Sequence, residues 1–228
     1  MPSWATQLAV FDLETTGLNL KQARIVTACV AELDATGAVV TATEWLADPE
    51  IEIPEVAASV HGITTEIARR DGRPAKDVVA EVIAALQDFV TRGIPVVAYN
   101  ASYDFSILFY EALRHELEPV DAELLVVDPL VIDKTLDRYR KGKRNLETSA
   151  AFFGIELDNA HNATADAVAA GRIAQQLAKK YPKELGIAIG ELHKQQIEWS
   201  HAIDASYETW RRGTEPDYTA WRGWPIKK

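Results

Sequence analysis

The sequence predicts an α/β fold in which a mixed sheet is flanked by helices. Three β-rich runs follow one another at the start of the chain: Leu8 into Leu13, Ile25 to Leu33, and Val39 to Leu46. Helix-periodic segments come after them. That order points to a mixed sheet rather than a purely parallel one. With 228 residues and 47% hydrophobic composition the chain has ample material for a packed core, as one large domain or a domain with an appendage.

Taken in order, the runs Ile25 to Leu33 and Val39 to Leu46 are separated by Asp34-Ala35-Thr36-Gly37-Ala38, a spacing that predicts a hairpin with a short loop. Pro49 and Pro54 punctuate a loop leading through Val60-His61-Gly62-Ile63-Thr64. Thr64 and Thr65 then cap a short helix to about Arg70. A longer helix starts near Pro74, carries Val78, Val79, Val82, Ile83, Leu86, Phe89 and Val90 at helical spacing, and stops at Gly93. Ile94 to Tyr99 reads as a buried strand with Pro95 at its start. It runs into a helix capped by Ser102, with Asp104 in the first turn, where the macrodipole favours a carboxylate. Leu124 to Val127 is a short apolar strand before Asp128-Pro129 and a further helical segment. Asn145 caps a helix from Leu146 to Phe153, ended by Gly154. His161 to Ala167 opens another helix, whose stripe of Ala167, Ala170, Ala174 and Leu177 suits close approach to a sheet. From Glu184 onward, Leu185, Ile189, Leu192, Trp199, Ile203, Tyr207 and Trp210 fit one long amphipathic helix, interrupted in polarity at Gln196. Trp221 and Trp224 follow, and the expected arrangement is that helix and tail wrap back over the domain.

Composition narrows the function. Cys29 is the single cysteine, so an internal disulfide and a cysteine-based zinc cluster are excluded. It lies in an apolar run and reads as a buried, inert thiol in a reducing compartment. No segment approaches the roughly 20 apolar residues of a membrane span, and the N-terminus lacks a basic region, so a soluble cytoplasmic protein is expected. The net charge of −10 argues against gripping nucleic acid over a broad surface. The only dense basic run, Arg138 to Arg144, is the best candidate for touching phosphates.

Residues two apart in a strand share a face, so Asp12 and Glu14 project together, roughly 7 Å apart, at the end of a buried strand. Such a pair is unfavourable unless a cation sits between its members. Taken singly, Asp-x-Glu more often marks a solvated strand end, Asp104 suits a helix start, and His161 suits a surface loop.

Together, these residues resemble a known set. Phe11-Asp12-Leu13-Glu14-Thr15-Thr16-Gly17-Leu18, Tyr99-Asn100-Ala101-Ser102-Tyr103-Asp104-Phe105 and His161-Asn162-Ala163-Thr164-Ala165-Asp166-Ala167 are similar to the three motifs of the DEDDh 3′-to-5′ exonucleases. That is the family of the proofreading epsilon subunit of bacterial DNA polymerase III. Val60-His61-Gly62-Ile63-Thr64 resembles a segment found between the first two motifs. The resemblance covers about residues 6 to 180 and departs at Tyr99, where relatives often carry His, and at Tyr103, where Phe is common.

The resemblance implies a ribonuclease-H-like fold: a mixed five-stranded sheet flanked by helices, with an added C-terminal helix and Trp-rich tail. It divides the chain into an exonuclease domain over 1–182 and a helical extension over 183–228. The implied activity is metal-dependent 3′-to-5′ exonuclease hydrolysis, of the proofreading or repair type, releasing nucleoside monophosphates from single-stranded or frayed DNA 3′ ends. The implied cofactors are two divalent cations, Mg²⁺ or Mn²⁺, which suit hard carboxylate oxygens. By analogy with the family, Asp12 bridges both ions, Glu14 and Asp166 hold the one carrying the attacking water, Asp104 supports the second, and His161 is the general base. The backbone of Thr15 is implied to lie beside the terminal 3′-hydroxyl, Leu18 against the last base, and His61 near the terminal nucleotide. Two alternatives stand beside this reading. One is an RNA-trimming exoribonuclease of the RNase T or oligoribonuclease type. The other is an interaction module whose C-terminal region docks to a polymerase or repair protein.

Overall fold

The computed structural model describes residues 1–120, 123–157 and 161–228. β1 (Leu8–Thr15), β2 (Ile25–Leu33) and β3 (Val39–Asp48) form an antiparallel meander, with β1 against β2 and β2 against β3. α1 (Glu55–His61) and α2 (Thr65–Asp71) follow, then β4 (Arg73–Pro74), α3 (Ala75–Thr91), β5 (Val96–Val97), α4 (Ser102–Arg114), β6 (Val126–Val127), α5 (Pro129–Leu136), α6 (Leu146–Phe152), α7 (Ala163–Lys180) and α8 (Ile189–Arg211). The sheet order is β4-β3-β2-β1-β5-β6, with β5 parallel to β1 and β6 parallel to β5. β1 is therefore central.

Alternation along β1 sorts its side chains into two layers. Ala9, Phe11 and Leu13 join Val78, Val82 and Leu86 of α3 and Phe105 of α4. Leu8 and Val10 join Cys29 and Leu33 of β2 and Ala170, Ile173, Ala174 and Leu177 of α7. The second face is the one on which Asp12 and Glu14 continue. Cys29 is buried there, as its apolar surroundings predict.

Several details differ from the sequence reading. The sheet has six strands rather than five, because Arg73–Pro74 pairs with Ala47 and Asp48 at the β3 edge. A two-residue strand leaves no periodicity to read. α1 forms where only a loop is expected: Pro54 precedes its first residue and Gly62 ends it in the left-handed region at φ 77°. Ser102 is the first residue of α4 rather than its cap, and no side chain caps that helix. Thr64 and Asn145 do cap α2 and α6, and the structure adds Asn162 as the cap of α7. The final helix begins at Ile189, not Glu184.

The basic run is also used differently from its expected role. Arg140 and Arg144 each place a guanidinium nitrogen 2.6 Å from the buried Asp133 carboxylate. Two of its cations are thus spent inside the fold, joining α5 to the following loop.

α8 and the tail return to the sheet. Val126 N donates to His193 Nδ1 at 3.0 Å, Gln196 Nε2 donates to Val126 O at 3.0 Å, and Asp128 N donates to Gln196 Oε1 at 2.7 Å. These side chains satisfy the open edge of β6 as a neighbouring strand would. That explains why the apolar pattern of α8 breaks at Gln196. Trp224 is buried in the α3–α4 layer. Among the described residues no helix is long and apolar enough to cross a membrane.

Candidate active site

Four acids arrive at the end of β1 by three routes. Asp12 and Glu14 come from the strand itself, Asp104 from the first turn of α4, and Asp166 from the first turn of α7. Leu13 N donates to Asp104 Oδ1 at 3.2 Å, which ties α4 to the strand between the two β1 acids. α7 can bring Asp166 close because Gly171 lies against the sheet: a Cβ there would sit 2.5 Å from both Leu33 Cδ1 and Val10 Cγ1.

The convergence has an electrostatic consequence for each acid. Burial, then the charges of Asp104, Asp166 and Glu14, push the Asp12 carboxyl well above its usual range. Burial, then Asp166, raises Glu14 to about 7. Asp104 is raised by burial and by Asp128 and Glu14, against its backbone hydrogen bonds. Asp166 is raised by burial, against the neighbouring His161. Among the described residues no Lys or Arg forms an ion pair with any of the four. The donor set is hard, oxygen-rich and short of positive charge, which fits divalent cations. Asp166 Oδ1 is buried and has no hydrogen-bond partner. Ligand atoms of Glu14, His161 and Asp166 lie within 4.8 Å of one another.

This repulsion has a pH signature. A carboxyl raised in the folded state binds its proton more tightly there than in the unfolded chain. The resulting stability is complete below the unfolded value near 4.5 and disappears as pH rises through about 7. In EDTA, Glu14→Gln is therefore expected to melt at a higher temperature than the unsubstituted protein at pH 8. The gap should close towards pH 5. Comparing the two proteins cancels the half-buried histidines His61, His115 and His193, whose lowered pKa values act oppositely. A gap that fails to widen with pH in calorimetry would contradict the crowding of Glu14.

The remaining residues of the sequence-derived set surround this cluster. His161 has φ 68°, and its N–H donates to Asp166 Oδ2 at 3.3 Å, so the loop before α7 is held to the acid by its own backbone. His61, at the end of α1, accepts from Ile63 N on Nδ1 at 3.2 Å. Burial, then the nearby His161, lowers its pKa, while the Thr15 backbone opposes this. Leu18 is 86% exposed at the rim. Beside the acids is a cleft of about 680 Å³, lined by Glu14, Thr15, Leu18, Val56, His61 and Tyr103 among others. Thr15, Leu18 and His61 are thus neighbours across one opening.

Both departures from the resembled motifs have structural explanations. The Tyr103 hydroxyl donates to Gly17 O at 2.8 Å and lies 2.5 Å from Thr15 Oγ1, fastening the turn beyond Glu14. The Tyr99 hydroxyl donates to Arg144 O at 2.8 Å and is 2.8 Å from Ser149 Oγ. Burial pushes both phenols up to about 12, so they remain neutral donors at physiological pH.

Asp128 is the residue that sequence reasoning missed. Fully buried, it accepts from Asn100 N and Ala101 N at 3.0 Å, Leu130 N at 2.9 Å, Val131 N at 3.4 Å and Trp224 Nε1 at 3.2 Å. It holds Asn100, four residues before Asp104, in the left-handed region at φ 62° and so fixes the entry to α4. The Asp-Pro pair at a helix start was the available signal, but it announces only a cap.

Comparison with known proteins gives concordant results. A family model described as Exonuclease matches residues 9–174. The chain is 28% identical over 183 residues to the PolC-type DNA polymerase III of Lacticaseibacillus paracasei, covering 80% of this chain and 12% of that protein. It is 29% identical over 190 residues to the PolC-type DNA polymerase III of Clostridium perfringens, covering 81% and 12%. The chain therefore spans only a small part of the curated relatives it matches. Among solved structures, one of exonuclease I, described as suggesting how processivity is achieved, superposes with a TM-score of 0.70 at 20% identity. It covers 79% of this chain and 42% of that one. Escherichia coli exonuclease I in complex with a dT13 oligonucleotide gives a TM-score of 0.66 at 20% identity, covering 78% and 42%. The likeness establishes the ribonuclease-H-like fold.

Proposed function

Because the chain belongs to the exonuclease family, whose members depend on divalent metal, we propose that it is a 3′-to-5′ exonuclease releasing nucleoside monophosphates from single-stranded or frayed DNA ends. The observation that carries this reading is the convergence of Asp12, Glu14, Asp104 and Asp166 with, among the described residues, no Lys or Arg in an ion pair with them. These four carboxylates would hold two cations, Mg²⁺ or Mn²⁺. When bound, the pair would neutralise charge on the scissile phosphate and orient water for in-line attack.

This chain's own residues supply the rest. His161, beside Asp166 and open to solvent, accepts the proton of the attacking water, as an imidazole can near neutrality. The Thr15–Gly17 turn, fastened by Tyr103, closes the groove beside the cluster. The Thr15 backbone faces the terminal 3′-hydroxyl, His61 lies near the terminal nucleotide, and Leu18 presents an apolar wedge to the last base. A strand end selected in this way is shortened one monophosphate at a time. Support for DNA comes from the PolC-type DNA polymerase relatives and the oligonucleotide complex of exonuclease I.

The test uses 5′-labelled DNA and RNA oligonucleotides with Mg²⁺, Mn²⁺ or EDTA. The expected result is a metal-dependent ladder of DNA products shortened from the 3′ end. A ladder on RNA alone would favour the exoribonuclease reading, and no ladder with either metal would overturn the proposal.

A further inference from the structure

The C-terminal tail lies outside the family match, yet it reaches the mouth of the site. A cleft of about 420 Å³ is lined by Leu18, Asn19, Ser102 and Tyr103 together with Trp221 and Lys227 of the tail. It shares Leu18, Asn100 and Tyr103 with the cleft beside the acids. Exposed Leu18 thus stands between two openings: one lined by Glu14 and His61, the other by the tail.

The two tail tryptophans are treated differently. Trp224 is 6% exposed and hydrogen-bonded to Asp128, whereas Trp221 is 39% exposed. The backbone on either side is anchored, before it by Ala220 N donating to Glu208 Oε2 at 3.0 Å and after it by Trp224 and by Lys227 N donating to Ser106 Oγ at 2.8 Å. Trp221 is therefore presented from a fixed segment. Lys21 Nζ lies 5.1 Å from its ring centroid and 5.7 Å from that of Tyr110. Neither Lys21 nor Lys227 forms an ion pair among the described residues, although Lys227 is near enough to Asp204 to influence its titration. In a chain of net charge −10, one ammonium thus stands against an exposed aromatic ring and a second lysine lines the same cleft, at the edge of an acidic site.

We propose that Trp221, Lys21 and Lys227 form a strand-binding subsite for the nucleotides 5′ of the scissile bond, with a base stacked on Trp221 and phosphates drawn to the two lysines. This proposal rests on the exonuclease reading. Stacking on an indole is tolerant of sequence because every base offers a π-face, and ammonium groups meet phosphates regardless of base. The subsite would hold the growing 5′ remainder of the strand in register while its end is trimmed.

The experiment uses the full chain with Mn²⁺ and two substrates: 5′-labelled dT12 and the nitrophenyl ester of thymidine 5′-monophosphate, which has no upstream nucleotides. The quantity read is the ratio of their KM-normalised rates. We expect Trp221→Ala to lower kcat/KM on dT12 relative to the ester about tenfold, through KM. Trp221→Tyr should restore the ratio to within about twofold, and Lys21→Glu, on an exposed loop, should lower it about fivefold and steepen with falling salt. A protein that trims dT12 but whose ratio is unmoved in both Trp221→Ala and Lys21→Glu would overturn the subsite alone. A wild-type protein that hydrolyses neither substrate would overturn the exonuclease reading, and the subsite with it.

Discussion

Asp12→Asn is expected to remove nucleolytic activity while leaving the metal-free protein at least as stable as before. Asp12 lies on the central strand and feels Asp104, Asp166 and Glu14 at once, so its carboxylate is the shared member of the cluster. Asparagine keeps its shape but removes its charge, so cation affinity and charge compensation at the phosphate are lost together. A fall in kcat of at least about a hundredfold to a thousandfold is expected, the range found when one group stabilising developing charge is removed. In EDTA the same change relieves repulsion between buried like charges, and replacing buried charges with neutral groups of similar volume is often neutral or stabilising. Opposite signs for activity and melting temperature distinguish a metal-binding role from a purely structural one. A variant that loses both, or retains activity, would contradict the assignment.

Asp128→Ala is expected to be the most destabilising single change near the site. It deprives four backbone N–H groups and the Trp224 indole of their acceptor in a buried setting. Each buried donor left unpaired costs about 1–3 kcal/mol, and partial re-satisfaction brings the expected total to roughly 3–5 kcal/mol. Denaturant titration would measure this, and a loss below about 1 kcal/mol would show that the donors find other partners. The effect should spread in two directions, loosening the tail at Trp224 and freeing the Asn100–Ala101 turn that orients Asp104. For that reason Asp128→Asn, which keeps one carbonyl acceptor, should recover part of the stability.

The strands and acids were legible because they depend on local pattern. Apolar alternation in β1 placed Asp12 and Glu14 on one face, and the structure finds them on the α7 side, beyond Leu8 and Val10. Helix starts at Thr64 and Asn145 were readable because capping involves only a few consecutive residues. Features set by distant partners were less readable. The inward turn of Arg140 and Arg144 depends on Asp133 being buried beneath them, and composition alone presents those arginines as a solvated basic loop. Gln196 broke the amphipathic pattern for a reason visible only once β6 lay against it. Gly171 gave no turn signal, since its role is to let α7 approach Val10 and Leu33. The tail tryptophans looked equivalent in sequence, yet one is core and the other is at the rim.

On the proposed reading, Asp12, Glu14, Asp104 and Asp166 share one place because divalent cations compensate them there. Anomalous diffraction from crystals grown with Mn²⁺ tests this most directly. Two manganese peaks held among the four carboxylates, Asp12 included, are expected. Fully ordered side chains with no manganese bound at Asp12 would contradict it.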